Sequence, residues 1–174
     1  MHGVDPNEGI RTVHRLRALA VELNLLGAEF AHMHGLHTTD LRALICILDA
    51  ERAGLDATPG LLGSQLGINS ASVTALLDRM EKAGLIRRTQ DPEDRRRSLL
   101  AVTPRAVEIG QTFFGPLITR TGAVLDNFNA AERDAISRFL DDVNRAVAVE
   151  RQAGSQRTDD SESRSRRRRA GEPA

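Results

Sequence analysis

Residues 58 to 104 read TPGLLGSQLGINSASVTALLDRMEKAGLIRRTQDPEDRRRSLLAVTP, and this stretch decides the fold of the 174-residue chain. Thr58-Pro59 is a helix start signal, because threonine caps free backbone N–H groups and proline suits the first helical position. Three leucines follow at helical spacing, and Gly67 supplies the permissive backbone expected just after a helix end. The pattern therefore predicts one short helix at the beginning of the stretch.

A second helix is predicted immediately afterwards, starting at Asn69-Ser70. Its apolar residues fall at positions i, i+3, i+4 and i+7, which places them on one inward face: Val73, Leu76, Leu77 and Met80. Lys82 lies in the last turn and Gly84 just beyond it, as is typical of a helix end. The stretch thus begins with two helices joined by a tight turn.

The opposite face of the second helix carries small and polar side chains: Ala71, Ser72, Thr74, Ala75, Asp78, Arg79 and Lys82. Small residues let a helix backbone approach the edges of DNA bases, where hydroxyl groups form hydrogen bonds and a threonine methyl contacts a thymine methyl. Arg79 is long enough to reach a guanine edge or a phosphate. Taken alone, this helix is equally consistent with an amphipathic helix whose polar face is solvated.

Two β-compatible runs come next, at residues 85–89 and 98–102, and between them lies the charged segment QDPEDRRR. They predict a hairpin with a long tip. A narrow minor groove supplies negative potential for an inserted arginine, and we expect Asp94 to pair with Arg96 and hold its guanidinium in place. A solvated, charge-balanced loop is the alternative, but two helices followed by such a hairpin favour a winged helix-turn-helix that binds DNA.

The stretch resembles the MarR family of bacterial transcription regulators. LGINSASVTALLDRMEKAGLIRR is similar to the family's recognition helix and first wing strand, and DPEDRRRSLLAVT is similar to its wing, with Asp94-Arg95-Arg96 as an Asp-x-Arg element. The resemblance covers about residues 10 to 150. It implies that the recognition helix enters the major groove and that Arg96, positioned by Asp94, enters the minor groove. The neighbouring arginines leave open which of the three inserts.

The candidate DNA-binding residues form two groups. The recognition helix contributes Ser70, Ala71, Ser72, Thr74, Ala75 and Arg79. The wing contributes Arg88, Asp94, Arg95, Arg96 and Arg97.

The fold class predicted for the whole chain is mainly α, a winged helix-turn-helix between N- and C-terminal helices that form a dimerisation region. Its segments are a flexible arm (1–9), a dimerisation helix (10–37), the DNA-binding domain (38–103), C-terminal dimerisation helices (104–151) and a disordered basic tail (152–174). Thr38 or Thr39 is expected to cap the second helix, and residues 55–57 to add a third strand beside the wing. A bend is expected at Pro116, and Asn129 is expected to cap the last helix with Glu132, three residues on, as its capping-box partner.

The terminal helices carry more apolar surface than one copy of the chain is expected to bury. A two-fold dimer covers such surface, and it also presents two recognition helices to two half-sites of DNA. The residues predicted at this interface are Ile10, Val13, Leu117, Leu125, Phe128, Ile136, Leu140 and Val143. Folding of these residues onto the chain's own core is the alternative.

The charges are distributed unevenly although the formal net charge is zero. The segment from Arg79 to Arg97 is basic, and the tail from residue 151 holds seven arginines against four acidic residues. Such a tail can attract phosphates without sequence preference. The tail has almost no apolar residues, so it is expected to bury no core. No apolar run approaches membrane-spanning length and no signal-peptide pattern is found, which predicts a cytoplasmic protein, nucleoid-associated when bound to DNA.

The sequence predicts a regulator and not an enzyme, since no glycine-rich phosphate loop, GxSxG or HExxH motif occurs in it. The resemblance implies a homodimeric repressor of a pseudo-palindromic operator, released by a small, often aromatic or phenolic, effector. No cofactor and no metal site are expected. One alternative is a regulator of the same fold that senses metal or oxidant through His32, His34, His37 or Cys46. Another is a winged-helix protein-interaction module that does not contact DNA.

Overall fold

The structure is a computed structural model that describes the backbone of residues 6–170 and the side chains of residues 7–151, 153 and 154. The elements are α1 (Pro6–Met33), α2 (Thr38–Arg52), α3 (Pro59–Leu66), α4 (Ser70–Lys82), β1 (Ile86–Gln90), β2 (Ser98–Val102), α5 (Pro104–Leu125) and α6 (Ala130–Ala170). They form two compact units, Met1–Phe113 and Phe114–Ala174. Across the described helices, no segment combines the length and the apolar character needed to cross a membrane.

The helix-turn-helix predicted from residues 58–84 is confirmed by α3 and α4. The ends of these helices are set by local capping. The Thr58 hydroxyl accepts a hydrogen bond from the Leu61 backbone N–H at 3.2 Å, and the Asn69 side chain accepts one from Ser72 N–H at 2.9 Å. Gly67 ends α3 with a φ of 68°, a left-handed conformation that favours glycine. These caps fix where α3 ends and α4 begins.

The wing is an antiparallel hairpin of β1 and β2, in which Ile86 pairs with Val102 and Gln90 with Ser98. The expected third strand at residues 55–57 is wrong, since the described residues form a two-stranded sheet. Ala57 nevertheless accepts one hydrogen bond from Leu100 N–H at 2.8 Å, which attaches the segment before α3 to the wing. A single bond leaves this segment irregular.

The core of the first unit lies where α2, α3, α4 and the base of the wing meet. Ile47, Leu62, Leu77, Met80 and Ile86 are all buried there. The inward face predicted for α4 is confirmed, because the four residues of its apolar stripe are buried. This packing leaves the opposite face of α4 exposed.

The N-cap of α2 lies one residue before the earlier of its two predicted caps. His37 and not Thr38 or Thr39 is the N-cap, and the Asp40 carboxylate accepts a hydrogen bond from His37 N–H at 3.0 Å. Asp40 thus satisfies one backbone donor that the first turn of a helix leaves free.

Both ends of the chain contain more helix than predicted. Helix α1 starts at Pro6, so residues 6–9 are not a loose arm; proline and an acidic residue, here Glu8, both suit a first helical turn. Residues 1–5 lie outside the described range.

The second unit contains the end of α5 and all of α6. Pro116 lies inside α5 and does not end it. The capping box predicted for α6 is confirmed, because the side chains of Asn129 and Glu132 each accept a hydrogen bond from the other's backbone N–H, at 3.1 and 2.8 Å.

The segment from residue 152, predicted to be a disordered tail, continues the helical backbone of α6 up to Ala170, where that helix ends. Lack of apolar residues rules out a buried core but not a helix. Once a helix has formed it gains one hydrogen bond with each added residue, and the sequence from Ala130 onward has no proline before Pro173. Residues 171–174 lie outside the described range.

Candidate nucleic-acid interface

The outward face of α4 is made of small side chains. Five of the six residues predicted to read DNA from this helix are exposed and short: Ser70, Ala71, Ser72, Thr74 and Ala75. The Thr74 hydroxyl donates a hydrogen bond to the Ser70 carbonyl oxygen at 3.0 Å, so its donor is already used within the helix. The face is open enough for close approach of another surface.

Arg79, the sixth predicted residue of this helix, makes a bidentate ion pair with Asp40 of α2. Its Nε lies 3.3 Å from Oδ2 and its Nη2 2.5 Å from Oδ1 of that carboxylate, which is 2% exposed. Hydrogen bonding to Asp40 raises the pKa of Arg79 above its ordinary value. The guanidinium is therefore permanently charged and joins α4 to α2.

Arg88 of β1 connects the wing to α4. Its guanidinium pairs with Asp78 and lies 3.3 Å from a Glu81 carboxylate oxygen, and its backbone N–H donates to the other Glu81 oxygen at 3.3 Å. The sequence analysis placed Arg88 among the DNA-binding residues of the wing. In the structure its side chain is paired with two carboxylates of α4.

The wing tip is organised around Asp91, a buried carboxylate. One of its oxygens accepts hydrogen bonds from the backbone N–H groups of Glu93 and Asp94, at 2.9 and 3.4 Å. The other lies 3.0 Å from Arg97, whose guanidinium also contacts Asp56 at 3.1 Å. Arg97 thus fastens the tip to the segment that precedes α3.

The predicted pairing between the side chains of Asp94 and Arg96 is wrong. Asp94 accepts a hydrogen bond from the Arg96 backbone N–H at 2.9 Å, because the tip turns tightly enough to bring that donor to the carboxylate. Asp94 therefore shapes the backbone and leaves the guanidinium unrestrained. Within the part of the chain whose side chains are described, neither Arg95 nor Arg96 forms an ion pair, and both are exposed.

Five carboxylates were not identified from the sequence as partners in this network: Asp40, Asp56, Asp78, Glu81 and Asp91. Asp40 lies 39 residues from Arg79 and Asp56 lies 41 from Arg97, so no local spacing reveals these partners. Asp78 and Arg88 are ten residues apart across a turn. Only Asp91, beside a turn-forming proline, carries a local signal.

The histidines suggested as metal ligands do not form a site. Over residues 7–151, 153 and 154, no group of three or more histidine, cysteine or acidic side chains is placed to hold a metal ion. His34 instead packs against Phe30, with ring centroids 4.6 Å apart and ring planes tilted by 50°. Cys46 is partly buried and packs against the core, an environment typical of a structural cysteine.

Comparison with known proteins gives a family match and a curated relative. The MarR family model matches residues 36–98. The uncharacterized HTH-type transcriptional regulator YcgE of Bacillus subtilis is 32% identical over 128 residues, which are 74% of this chain and 80% of that protein. This chain belongs to the MarR family.

Solved structures of the family share this fold. A MarR family protein from Bacillus stearothermophilus matches with a TM-score of 0.59 and 21% identity, over 83% of this chain and 99% of that one. The S. aureus MepR–DNA complex matches with a TM-score of 0.51 and 15% identity, over 78% and 98%. The predictions of a mainly helical winged-helix fold and of a transcriptional regulator rather than an enzyme are therefore confirmed for this MarR-family chain.

Proposed function

We propose that this MarR-family regulator binds a pseudo-palindromic DNA operator as a homodimer and represses transcription until a small effector releases it. The observation that carries the proposal is the wing tip, where Arg95 and Arg96 are exposed while Arg97 is held by Asp91 and Asp56. Two exposed arginines at a hairpin tip suit a narrow minor groove, whose negative potential attracts guanidinium groups. Such a protein acts in the cytoplasm, on the nucleoid.

Arg88 and Arg97 of the wing are held in ion pairs, which leaves fewer arginines free to enter the minor groove. The Arg97 guanidinium forms ion pairs with two carboxylates, so its insertion into the minor groove would require both ion pairs to break. Asp94 fixes the backbone N–H of Arg96 and so fixes where that side chain leaves the tip. We therefore assign minor-groove contact to Arg96, with Arg95 beside it on a phosphate.

The DNA-binding proposal is tested with DNA from the region upstream of the chain's own gene, by fluorescence anisotropy at low and moderate salt. We expect Arg96→Ala to weaken specific binding by about tenfold, which corresponds to one lost charge-assisted contact of 1.4 kcal/mol. Arg138→Ala, at an exposed position of α6, is the control and keeps the affinity. Absence of binding by the unaltered chain at low salt would favour a protein-interaction module.

Dimerisation is proposed from the apolar residues that the described chain leaves exposed. On α1 these include Ile10 and Val13, which are 56% and 65% exposed. In the second unit they include Leu117, Leu125, Phe128 and Leu140, while Ile136 and Val143 are partly buried. Contact with a second copy would remove this surface from water and place two recognition helices on one operator.

Effector binding is proposed for a cleft in the first unit between the end of α1 and the first half of α5. The cleft has a volume of about 380 Å³ and is lined by Met33, His34, Glu108, Ile109, Thr112 and Phe113. An apolar wall with a few polar groups and this volume suit a small aromatic molecule. A ligand wedged there would change the position of α1 relative to α5 and so alter the fit of the heads to DNA.

The effector is tested by adding benzoic acid, phenol and their hydroxylated derivatives to the protein–DNA complex. We expect at least one of them to lower the affinity for DNA, and Thr112→Phe to abolish this release by filling the cleft while DNA binding is kept. Gln111→Phe adds the same ring at the neighbouring exposed position, which does not line the cleft, and it should retain the release. Equal loss of release in both variants would place the effector elsewhere.

A further inference from the structure

We infer that Arg79 recognises a guanine in the major groove, and that Asp40 of α2 is the positioning residue that presents Arg79 to this base. The inference rests on the proposed DNA-binding function and names a base that α4 recognises. It follows from the contact between the two side chains, which uses one edge of the guanidinium and leaves another edge available.

A guanidinium has two edges with a parallel pair of N–H groups, one formed by Nε and Nη2 and one by Nη1 and Nη2. Asp40 occupies the first edge, with its carboxylate oxygens 3.3 Å from Nε and 2.5 Å from Nη2. Among the side chains that the structure describes, Arg79 has no polar partner other than Asp40, and it remains 44% exposed. The edge formed by Nη1 and Nη2 is therefore available to a ligand.

Asp40 is itself held in place. Its carboxylate is 2% exposed and accepts a hydrogen bond from His37 N–H at 3.0 Å, so the start of α2 fixes its orientation. A bidentate contact with a fixed carboxylate also fixes the plane of the Arg79 guanidinium. A side chain that is already ordered loses less conformational entropy when it binds, and a supporting contact of this kind keeps its donors in position.

The available edge matches guanine. Guanine presents two acceptors, O6 and N7, in one plane in the major groove, and this is the pair that arginine binds with two parallel N–H groups. A phosphate also accepts two N–H groups, but its attraction depends on the charge of its partner. The Asp40 carboxylate offsets the charge of Arg79, which weakens attraction to a phosphate and leaves the direction of the donors unchanged. The ion pair therefore favours a base edge over the DNA backbone.

The neighbouring residues of α4 leave room for this contact. Side chains on a helix lean toward its N-terminus, and the residues four and seven positions before Arg79 are the short and exposed Ala75 and Ser72. Arg79 is the single arginine of α4. The two acidic residues near it, Asp78 and Glu81, are paired with Arg88 of the wing. No long side chain of this face is thus placed to compete for the same base.

The test begins with selection of bound sites from a randomised double-stranded DNA pool by the full-length chain. Each guanine of the selected site is then replaced in turn by 7-deazaguanine, which removes only the N7 acceptor. This acceptor lies in the major groove, so the proposed minor-groove contacts of the wing do not sense the change. We expect about a tenfold loss of affinity at one guanine of each half-site, as for one lost hydrogen bond to a charged group.

Arg79→Lys is the first protein change. Lysine keeps a positive charge beside Asp40 but has no planar pair of donors left for a base. We expect it to weaken binding to the selected site about tenfold and to abolish the 7-deazaguanine effect at that guanine, so that the two changes are not additive. Arg52→Lys is the matched control, because Arg52 pairs with Asp49 on the surface of α2. It should alter neither quantity.

Asp40→Asn tests the positioning role, at a temperature where circular dichroism shows the variant folded. An amide has one acceptor oxygen and no charge, so Arg79 is no longer held in one plane and its charge is no longer offset. We expect a smaller 7-deazaguanine effect, tighter binding to DNA of unrelated sequence, and a slope of log affinity against log salt that is steeper by about 0.9, the value for one added phosphate contact. Asp49→Asn is the control and changes none of these.

The outcomes separate the inference from the proposed function. If a site is enriched but no guanine N7 affects binding, or if the effect persists in Arg79→Lys, guanine recognition by Arg79 is overturned while the DNA-binding function stands. If Asp40→Asn weakens binding to all DNA equally and keeps the full 7-deazaguanine effect, Asp40 has a structural role alone and the positioning inference fails. If no sequence is enriched, the proposed function is overturned together with the inference.

Discussion

Asp40 is the residue that joins α4 most directly to α2. Its carboxylate accepts a hydrogen bond from His37 N–H at the start of α2 and binds two of the three guanidinium nitrogens of Arg79 on α4, Nε and Nη2. A buried carboxylate is stable only when such partners compensate for its lost hydration. The same contacts that satisfy Asp40 therefore fix α4 against α2.

We predict that Asp40→Asn lowers the free energy of unfolding by about 2 kcal/mol, the usual value for a hydrogen bond to a charged group together with the loss of its ion pair. The measurement is urea denaturation followed by circular dichroism. Asp49→Asn is the matched control, because Asp49 pairs with Arg52 on the surface of the same helix and is 60% exposed. Its effect should stay within about 0.5 kcal/mol. Similar values for the two variants would contradict a structural role for Asp40.

The pairing of Asp40 with Arg79 also bears on pH. Because the pKa of Arg79 is raised in the folded state, its contribution to stability is complete below the unfolded pKa and is lost only as pH rises through the higher folded value. This pH interval lies above the pH range in which protein stability is usually measured. We therefore expect the Arg79 guanidinium to contribute no pH dependence to stability between pH 6 and pH 9, roughly the range far below any arginine pKa.

At the scale of elements, the packing of α3 on α4 depends on a single glycine. A Cβ added at Gly63 would meet the Val73 side chain at 3.1 Å and the Ile68 carbonyl oxygen at 3.2 Å. The two helices consequently approach each other more closely there than a larger residue allows. The turn between them keeps its geometry because this contact is tight.

We predict that Gly63→Ala destabilises the protein by about 1–3 kcal/mol, since an added methyl in a close-packed contact forces neighbouring atoms to move. Thermal unfolding measures the effect. Gly60→Ala on the same helix is the control, because its added Cβ would have nothing nearer than Thr58 Oγ1 at 4.0 Å. Alanine favours helix over glycine, so this variant should be neutral or slightly more stable. If Gly63→Ala were also neutral, the contact would be looser than described.

The wing gives a second prediction at this scale. Asp91→Ala removes the acceptor for Glu93 and Asp94 N–H and one of the two partners of Arg97. We expect faster amide hydrogen exchange at those two residues, together with weaker DNA binding, while the core keeps its protection. Glu93→Ala, at an exposed position of the same tip, is the control and should leave exchange unchanged. Unaltered exchange in Asp91→Ala would mean that the tip is held by other contacts.

Elements that depend on neighbouring residues were predictable from the sequence. Thr58, Asn69 and the capping box at Asn129 act within four residues, and the structure has all of them. The N-cap of α2 was missed because histidine is not a typical cap, and the ion pairs of the arginines were missed because their partners come from other elements. Propensity and periodicity describe one element at a time, whereas these contacts exist only after folding.

At the scale of the whole molecule, oligomeric state is the feature with the clearest test. We predict that the chain is a dimer in sedimentation velocity at micromolar concentration, and that Leu140→Asp shifts it toward the monomer because a carboxylate is costly to bury at an apolar contact. Arg138→Asp, two residues earlier and also exposed, is the control for an added acid on α6. A monomer at every concentration, or dissociation by both variants, would count against the proposed interface.

Sequence and structure agree on a winged helix-turn-helix between longer flanking helices, and the family assignment follows from the sequence relative. The extent of the terminal helices was underestimated, since the tail was judged by its inability to form a core. Helix α6 shows the difference, because it continues to Ala170 through a segment rich in arginine and serine. Composition predicts burial better than it predicts backbone conformation.

The ion pairs of Arg88 have a consequence for the length of the DNA half-site. Because they join β1 directly to Asp78 and Glu81 of α4, the distance from the reading helix to the wing tip is set within the protein. One extra base pair adds about 3.4 Å of DNA and turns the groove about the axis, and a head of fixed span has no means to follow it. We therefore expect a one-base-pair insertion inside a half-site to be tolerated less well than one between the half-sites, where each head moves as a whole.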